Sequence, residues 1–192
     1  MAVTIAILAG GQSRRMGTDK SFVPLNGLPL IEHVMARVKT LALPLLLITN
    51  QPSRYEYLNV PLYPDVISDK GAMGGIFSAL THSQTAYTLC IACDMPFLNT
   101  GLLAYLIQHA ADAEAIVPYC QGQAQGLHAI YHQRCREPMQ VCIAQDQLKI
   151  STFLQQRQVR WIGEDEIRAY DPDFQSFLNL NTPDDLLSAQ LN

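Results

Sequence analysis

Apolar residues in this chain alternate between short unbroken runs and helical stripes. Val3 to Leu8, Pro44 to Thr49 and Ala86 to Ala92 are continuous apolar stretches bounded by turn residues, as strands buried on both faces should be. Leu30, Ile31, Val34 and Val38 recur at helical spacing up to about Lys39, and Met73, Ile76, Phe77 and Leu80 keep the i, i+3, i+4, i+7 rhythm. Val60 to Tyr63 reads as a further short strand. Leu102, Leu103, Leu106 and Ile107 mark a helix, with Thr100 placed to cap it. The order strand, helix, strand, strand, helix, strand, helix predicts an α/β fold with three layers and a mostly parallel central sheet.

The second half is less regular. Ala115 to Tyr119 reads as a strand, the following CQGQAQG as a loop and HAIYH as another strand. Arg134 to Gln145 and Ser151 to Arg157 read as helices, and VRWIG as a last edge strand. In the closing FLNLNTPDDLL, Thr182 suits an N-cap and Pro183 the first helical position. Asp184 and Asp185 complement the positive end of that helix. No repeat, linker or low-complexity segment interrupts the pattern, so residues 1–192 are expected to form a single domain.

Composition narrows the function. With 192 residues, 48% hydrophobic and 16% charged, the chain has ample material for one core. A net charge of −4 argues against general nucleic-acid binding, which wants a basic surface. No signal-like opening segment and no run of about 20 apolar residues appears. We therefore expect a cytoplasmic protein that engages no membrane. Five scattered cysteines fit neither a disulfide framework nor a zinc site. Cys90 and Cys93 stand three apart in a strand and point to opposite faces, so they are expected to be small buried hydrophobes.

Candidate chemistry begins where the first strand ends. After Leu8 and Ala9 come Gly10 and Gly11, and Arg14, Arg15 and Lys20 follow closely. A glycine pair lets the backbone turn its N–H groups onto a ligand, and converging cations need an anionic partner. A phosphate chain is the simplest such ligand. The loop is not a Walker loop, because Gly17 precedes Thr18 and Asp19, and not a dinucleotide fingerprint, because Gly10 is followed directly by Gly11.

Other candidates also stand at strand ends, where ligands gather in open α/β sheets. Asn50 closes its strand and either contacts a ligand or turns the loop. Asp65 follows the short strand, and Asp94 stands beyond the central one. Gly71, Gly74 and Gly75 weaken the entrance of the next helix, which is tolerable if a base or ribose must approach the backbone closely. Asn179 and Asn181, two apart in an extended segment, project to one side.

LAGGQSRRMGTDK resembles the signature loop of the molybdopterin nucleotidyltransferases, and PLNGLPLIEH, PDVISDKGAMGGIFSAL, CDMPFL and NLNTPDDL extend the likeness over nearly the whole chain. In this order the motifs are most similar to those of the molybdenum cofactor guanylyltransferase family. The resemblance implies a Rossmann-like nucleotidyltransferase sheet and transfer of GMP from GTP to the terminal phosphate of molybdopterin, with pyrophosphate released. It implies Mg²⁺ held by Asp94, and Arg15, Lys20 and Asp94 as catalytic residues. Leu8, Ala9, Gly10, Gly11, Lys20, Asn50, Asp65, Gly74 and Asp94 would line the GTP site. Asn179 and Asn181 would face the pterin or a metal-bound water. Proteins that deliver or accept the cofactor are implied as transient partners. Gly126 and Leu127 replace the Pro-Leu pair usual in that family, which leaves the shape of that loop open.

The mechanism implied needs no His, Cys or Ser, because the attacking phosphate oxygen is already anionic and the requirement is charge neutralisation. None of the histidines forms a His-Glu-x-x-His pair, and no Gly-x-Ser-x-Gly elbow occurs. A CTP-dependent cytidylyltransferase or a sugar-phosphate nucleotidyltransferase with the same loop is the nearest rival. A non-catalytic nucleotide-binding module is the rival from another class.

Overall fold

The structure, a computed structural model, describes residues 2–10, 19–180 and 185. Strand β1 (Val3–Leu8) is buried along its whole length. Asn26 and Gly27, both with positive φ, turn the short antiparallel ladder of β2 (Pro24–Leu25) and β3 (Leu28–Pro29), as an Asn-Gly pair should. Next come α1 (Leu30–Lys39), β4 (Leu45–Ile48), β5 (Leu62–Tyr63), α2 (Gly71–His82), β6 (Tyr87–Ala92) and α3 (Thr100–Gln108). The second half adds β7 (Ala115–Cys120), β8 (Gln123–Ala124), β9 (His128–His132), α4 (Arg136–Ala144), α5 (Ile150–Leu154), β10 (Val159–Ile162) and α6 (Glu164–Arg168).

The strands form an eight-stranded sheet in the order β10-β7-β9-β6-β1-β4-β5, with β8 paired to β7. β1 is parallel to β4 and to β6, and β4 is parallel to β5. β9 runs antiparallel to both β6 and β7, while β10 is parallel to β7. On this main path, then, only β9 opposes its neighbours. Ile5 and Ile7 face one core with Ile31, Val34 and Val38 of α1 and Leu102, Leu103 and Leu106 of α3. Ala6 and Leu8 face the other, with Met73, Ile76 and Leu80 of α2, Met139 of α4 and Phe153 of α5. The expected three layers follow from that alternation, each fully buried Ile or Leu contributing roughly 1.5–3 kcal/mol.

Several boundaries differ from expectation. Asn99, not Thr100, caps α3, its side chain accepting from the Leu102 N–H at 3.0 Å; Thr100 is the first helical residue. The strand expected at Val60 to Tyr63 holds only Leu62 and Tyr63. The supposed loop CQGQAQG contains β8, turned by Gln121 and Gly122 at positive φ. Helix α5 ends at Leu154 rather than Arg157. The five-residue α6 was not expected; Glu166 secures it by accepting the Gly163 N–H at 3.0 Å.

Candidate functional site

β6, β1, β4 and β5 are adjacent and parallel, so their carboxyl ends lie side by side. The register pairs Leu8 with both Ala92 and Ile48, and Ile48 with Tyr63. Asp94, Gly10, Asn50 and Asp65 therefore leave the sheet in a row, each just beyond its strand. Backbone bonds carry the ladder past the strand ends: Cys93 N–H donates to the Leu8 carbonyl at 3.2 Å and Ala9 N–H to the Ile48 carbonyl at 2.9 Å. β1 pairs with β4 on one side and β6 on the other, which makes this the crevice where open α/β sheets take ligands.

At one end of the row, Asn50 Nδ2 donates to Asp65 Oδ2 at 2.8 Å and the Asp65 N–H donates to Asn50 Oδ1 at 2.9 Å. Ser78 Oγ of α2 accepts the Val66 N–H at 2.9 Å and donates to the Gly74 carbonyl at 2.7 Å, with Asp65 Oδ1 3.4 Å away. A Cβ on Gly10 would lie 3.5 Å from Asp65 Oδ2, so the glycine backbone passes directly beside that carboxylate. Gly74 is tightly packed by its own protein neighbours. Its Cβ would sit 2.8 Å from Lys70 Cβ and 3.3 Å from the Ile67 carbonyl, so protein already fills that space.

Asp94 stands at the other end of the row, half-buried. Burial pushes its carboxyl above the ordinary carboxylate value, and the Lys20 charge and its own backbone N–H pull it back only in part. Added positive charge is therefore favourable there. The Leu180 N–H donates to the Asp94 carbonyl at 3.2 Å, which seats the segment carrying Asn179 against this strand end. Asn181 lies outside the described residues, as do Gly11, Arg14 and Arg15 and the expected capping residues Thr182, Pro183 and Asp184. Among the described residues no group of three or more His, Cys, Asp or Glu could hold a metal ion. A cation here would take Asp94 together with oxygens that the substrates and water supply, which suits a hard, oxygen-preferring ion.

Lys20 opens a 3₁₀ turn, Lys20–Phe22, capped by the Asp19 side chain. Asp19 Oδ2 also accepts the Tyr55 hydroxyl at 2.9 Å and the Arg54 guanidinium at 3.2 Å. Tyr55 is fully buried, and burial with Asp19 alongside holds its hydroxyl protonated, a donor at any working pH. The buried Ser21 hydroxyl donates to Cys93 Sγ at 3.1 Å, and burial pushes that thiol up to about 12. Sequence reasoning missed Arg54, Tyr55 and Ser21. No local signal marks them, because each acts across a long stretch of chain.

Cys90 packs in one core and Cys93 against the other, on opposite faces as expected, and all five cysteines are free. Among the described residues no helix is long and apolar enough to cross a membrane.

Gly10, Lys20 and Asp94 stand at the carboxyl-end side of parallel strands in a nucleotidyltransferase-type α/β fold. Residues 5–161 match the MobA-like NTP transferase domain, and the chain belongs to that family. It is 33% identical to a probable molybdenum cofactor guanylyltransferase of Natranaerobius thermophilus, over 98% of this chain and 95% of that one. It is 34% identical to the molybdenum cofactor guanylyltransferase of Desulfosudis oleivorans, with the same coverage. The crystal structure of molybdopterin-guanine dinucleotide biosynthesis protein A from Archaeoglobus fulgidus superposes with a TM-score of 0.85 at 29% identity, over 98% of this chain and 97% of that one. At 11% identity, 4-diphosphocytidyl-2C-methyl-D-erythritol synthase from Anaerococcus prevotii shares the fold with a TM-score of 0.71, over 99% of this chain and 95% of that one.

Proposed function

We propose that this nucleotidyltransferase transfers GMP from GTP to the terminal phosphate of molybdopterin, forming the guanine dinucleotide and releasing pyrophosphate. The single observation that carries the reading is the placement of Asp94 and Gly10 level at adjacent strand ends, with the Lys20 charge acting on Asp94. The names of the relatives supply the base and the pterin.

In the reaction a phosphate oxygen of the pterin forms a bond to the α-phosphorus of GTP, and the α–β bridging bond breaks. The nucleophile is ionised at neutral pH, so no side chain need remove a proton. Two anions must approach, and the leaving pyrophosphate gains charge. Lys20 with the backbone amides of the glycine loop offsets both, and we assign Arg15 the same task. Mg²⁺ is the divalent ion we assign to Asp94, and when bound it supplies further neutralisation at the phosphate oxygens. Asp65, presented by Asn50, and the neighbouring Gly10 line the nucleoside end. Asn179 faces the pterin end.

The test is to supply molybdopterin, Mg²⁺ and one nucleotide at a time. Guanine dinucleotide from GTP alone is expected; product from CTP instead, or GTP binding with no turnover, overturns the reading.

A further inference from the structure

Lys20 is flanked by two residues that are tied down in different directions. On its amino side, Asp19 Oδ1 accepts the Ser21 N–H at 3.1 Å, while Oδ2 takes the Tyr55 hydroxyl and the Arg54 guanidinium. The Arg54 guanidinium also lies 4.1 Å over the Phe22 ring, and Phe22 packs on Tyr55 with centroids 4.9 Å apart. On its carboxyl side, Ser21 is fully buried and bonded to Cys93, the residue before Asp94. The turn itself closes through Val23 N–H to the Lys20 carbonyl at 3.1 Å. Its backbone therefore has little freedom to move relative to the end of β6.

Charge makes this more than a tether. An uncompensated carboxylate next to Lys20 would oppose the positive charge that the site needs. Both Asp19 oxygens are engaged, and a guanidinium and a hydroxyl share Oδ2. The Arg54 guanidinium thus compensates the carboxylate that stands next to Lys20 in the chain.

We propose that Asp19, Tyr55 and Arg54 form a clamp that positions Lys20 for the transfer reaction, Asp19 and Tyr55 acting as positioning residues rather than touching substrate. This inference rests on the function proposed above. It assigns a role to the turn after β4, on the far side of β1 from Asp94.

A double-mutant cycle tests it, read as the pyrophosphate-release rate with molybdopterin, GTP and Mg²⁺ and in parallel as the Kd for GTP with Mg²⁺. Asp19→Ala should lower the rate on the order of tenfold to a hundredfold, as a misplaced catalytic group does. Asp19→Asn, which keeps one acceptor oxygen, should restore part of it. In a Lys20→Ala background the same Asp19 substitution should change either readout by less than about twofold, because the residue through which it acts is gone. Tyr55→Phe keeps the buried ring, removes only the hydroxyl, and runs the same cycle should Asp19→Ala fold poorly. Penalties that multiply undiminished in the Lys20→Ala background overturn the clamp while leaving the function standing. Full activity in Lys20→Ala alone overturns the phosphate reading, and the clamp with it.

Discussion

Asn50 and Asp65 hold each other by two reciprocal hydrogen bonds of 2.8 and 2.9 Å, closing the ends of β4 and β5 together. The carboxamide expected to contact a nucleotide is thus committed to Asp65 on both of its ends. Asn50→Ala would strip a partner from the Asp65 N–H and carboxylate at a cost of about 1 kcal/mol at this exposed position. That lowers the melting temperature by roughly 2–4 °C in a protein this size. Because Asn50 presents Asp65, the effects on KM for GTP should not add: Asn50→Ala with Asp65→Ala should be no worse than the worse single variant. Independent, multiplying effects in steady-state kinetics would show that the two residues work separately.

Two glycines of the site separate packing from ligand approach. At Gly10 an added Cβ meets only Asp65 Oδ2, at an ordinary 3.5 Å. Gly10→Ala should therefore leave thermal stability within about 0.5 kcal/mol of wild type, as substitutions away from packed features do. Its affinity for GTP should nevertheless fall, because the methyl stands beside Asp65 where the nucleoside end is proposed. At Gly74 the Cβ would collide with Lys70 Cβ and the Ile67 carbonyl, neither of them a flexible tip. Gly74→Ala should cost about 1–3 kcal/mol of overpacking, only partly offset by about 1 kcal/mol of helix propensity. Calorimetry of the two variants, with and without GTP, checks both statements.

This contrast marks how far sequence reaches. β1, β4 and β6 were legible because parallel strands buried on both faces must be apolar throughout, and the strand-end residues Asn50, Asp65 and Asp94 followed from them. The direction of β9 was not legible, since HAIYH carries the same pattern whichever way it runs. β8 was hidden because two backbone-paired residues need no apolar side chain. The glycines at the start of α2 were visible, but not what fills the space above Gly74. The pairing of Asp19 with Tyr55 joins residues 36 apart, and neither has a neighbour that predicts the other.

Asp94 offers a test in which stability and activity move in opposite directions. Burial holds its carboxyl above the ordinary value despite Lys20, so in the absence of ligands the folded chain takes up this proton more readily than the unfolded one. Stability from this group is therefore greatest at low pH and declines as pH rises through the folded value, a penalty that persists at neutrality. Asp94→Asn removes the buried charge at nearly constant shape. Its melting temperature without metal should match or exceed wild type at pH 7, with the advantage shrinking as pH falls. Pyrophosphate release should drop on the order of 10²–10³-fold, the scale for losing one preorganised electrostatic group. A variant that is both active and less stable would remove Asp94 from the centre of the site.

His128 makes the fold sensitive to acid. It sits on β9 opposite Ile91, fully buried, with its ring edge-on to Phe177 at 4.8 Å and neither ring nitrogen hydrogen-bonded among the described residues. Burial lowers its proton affinity from 6.5 to about 4, with Asp171 opposing the shift. The unfolded chain therefore protonates first. Protonation therefore leaves stability untouched above pH 6.5, and a loss of stability builds as pH falls from 6.5 towards about 4. Across that window it amounts to about 3 kcal/mol. His128→Leu keeps an apolar side chain of similar size and leaves no buried nitrogen without a partner, so at pH 7 it should be near neutral. Urea denaturation of both proteins from pH 7 to pH 4 should show the wild type losing stability more steeply by that amount. Parallel curves would mean that His128 stays neutral in the unfolded chain as well, or is solvated in the folded one, and either would refute a dry imidazole beneath Phe177.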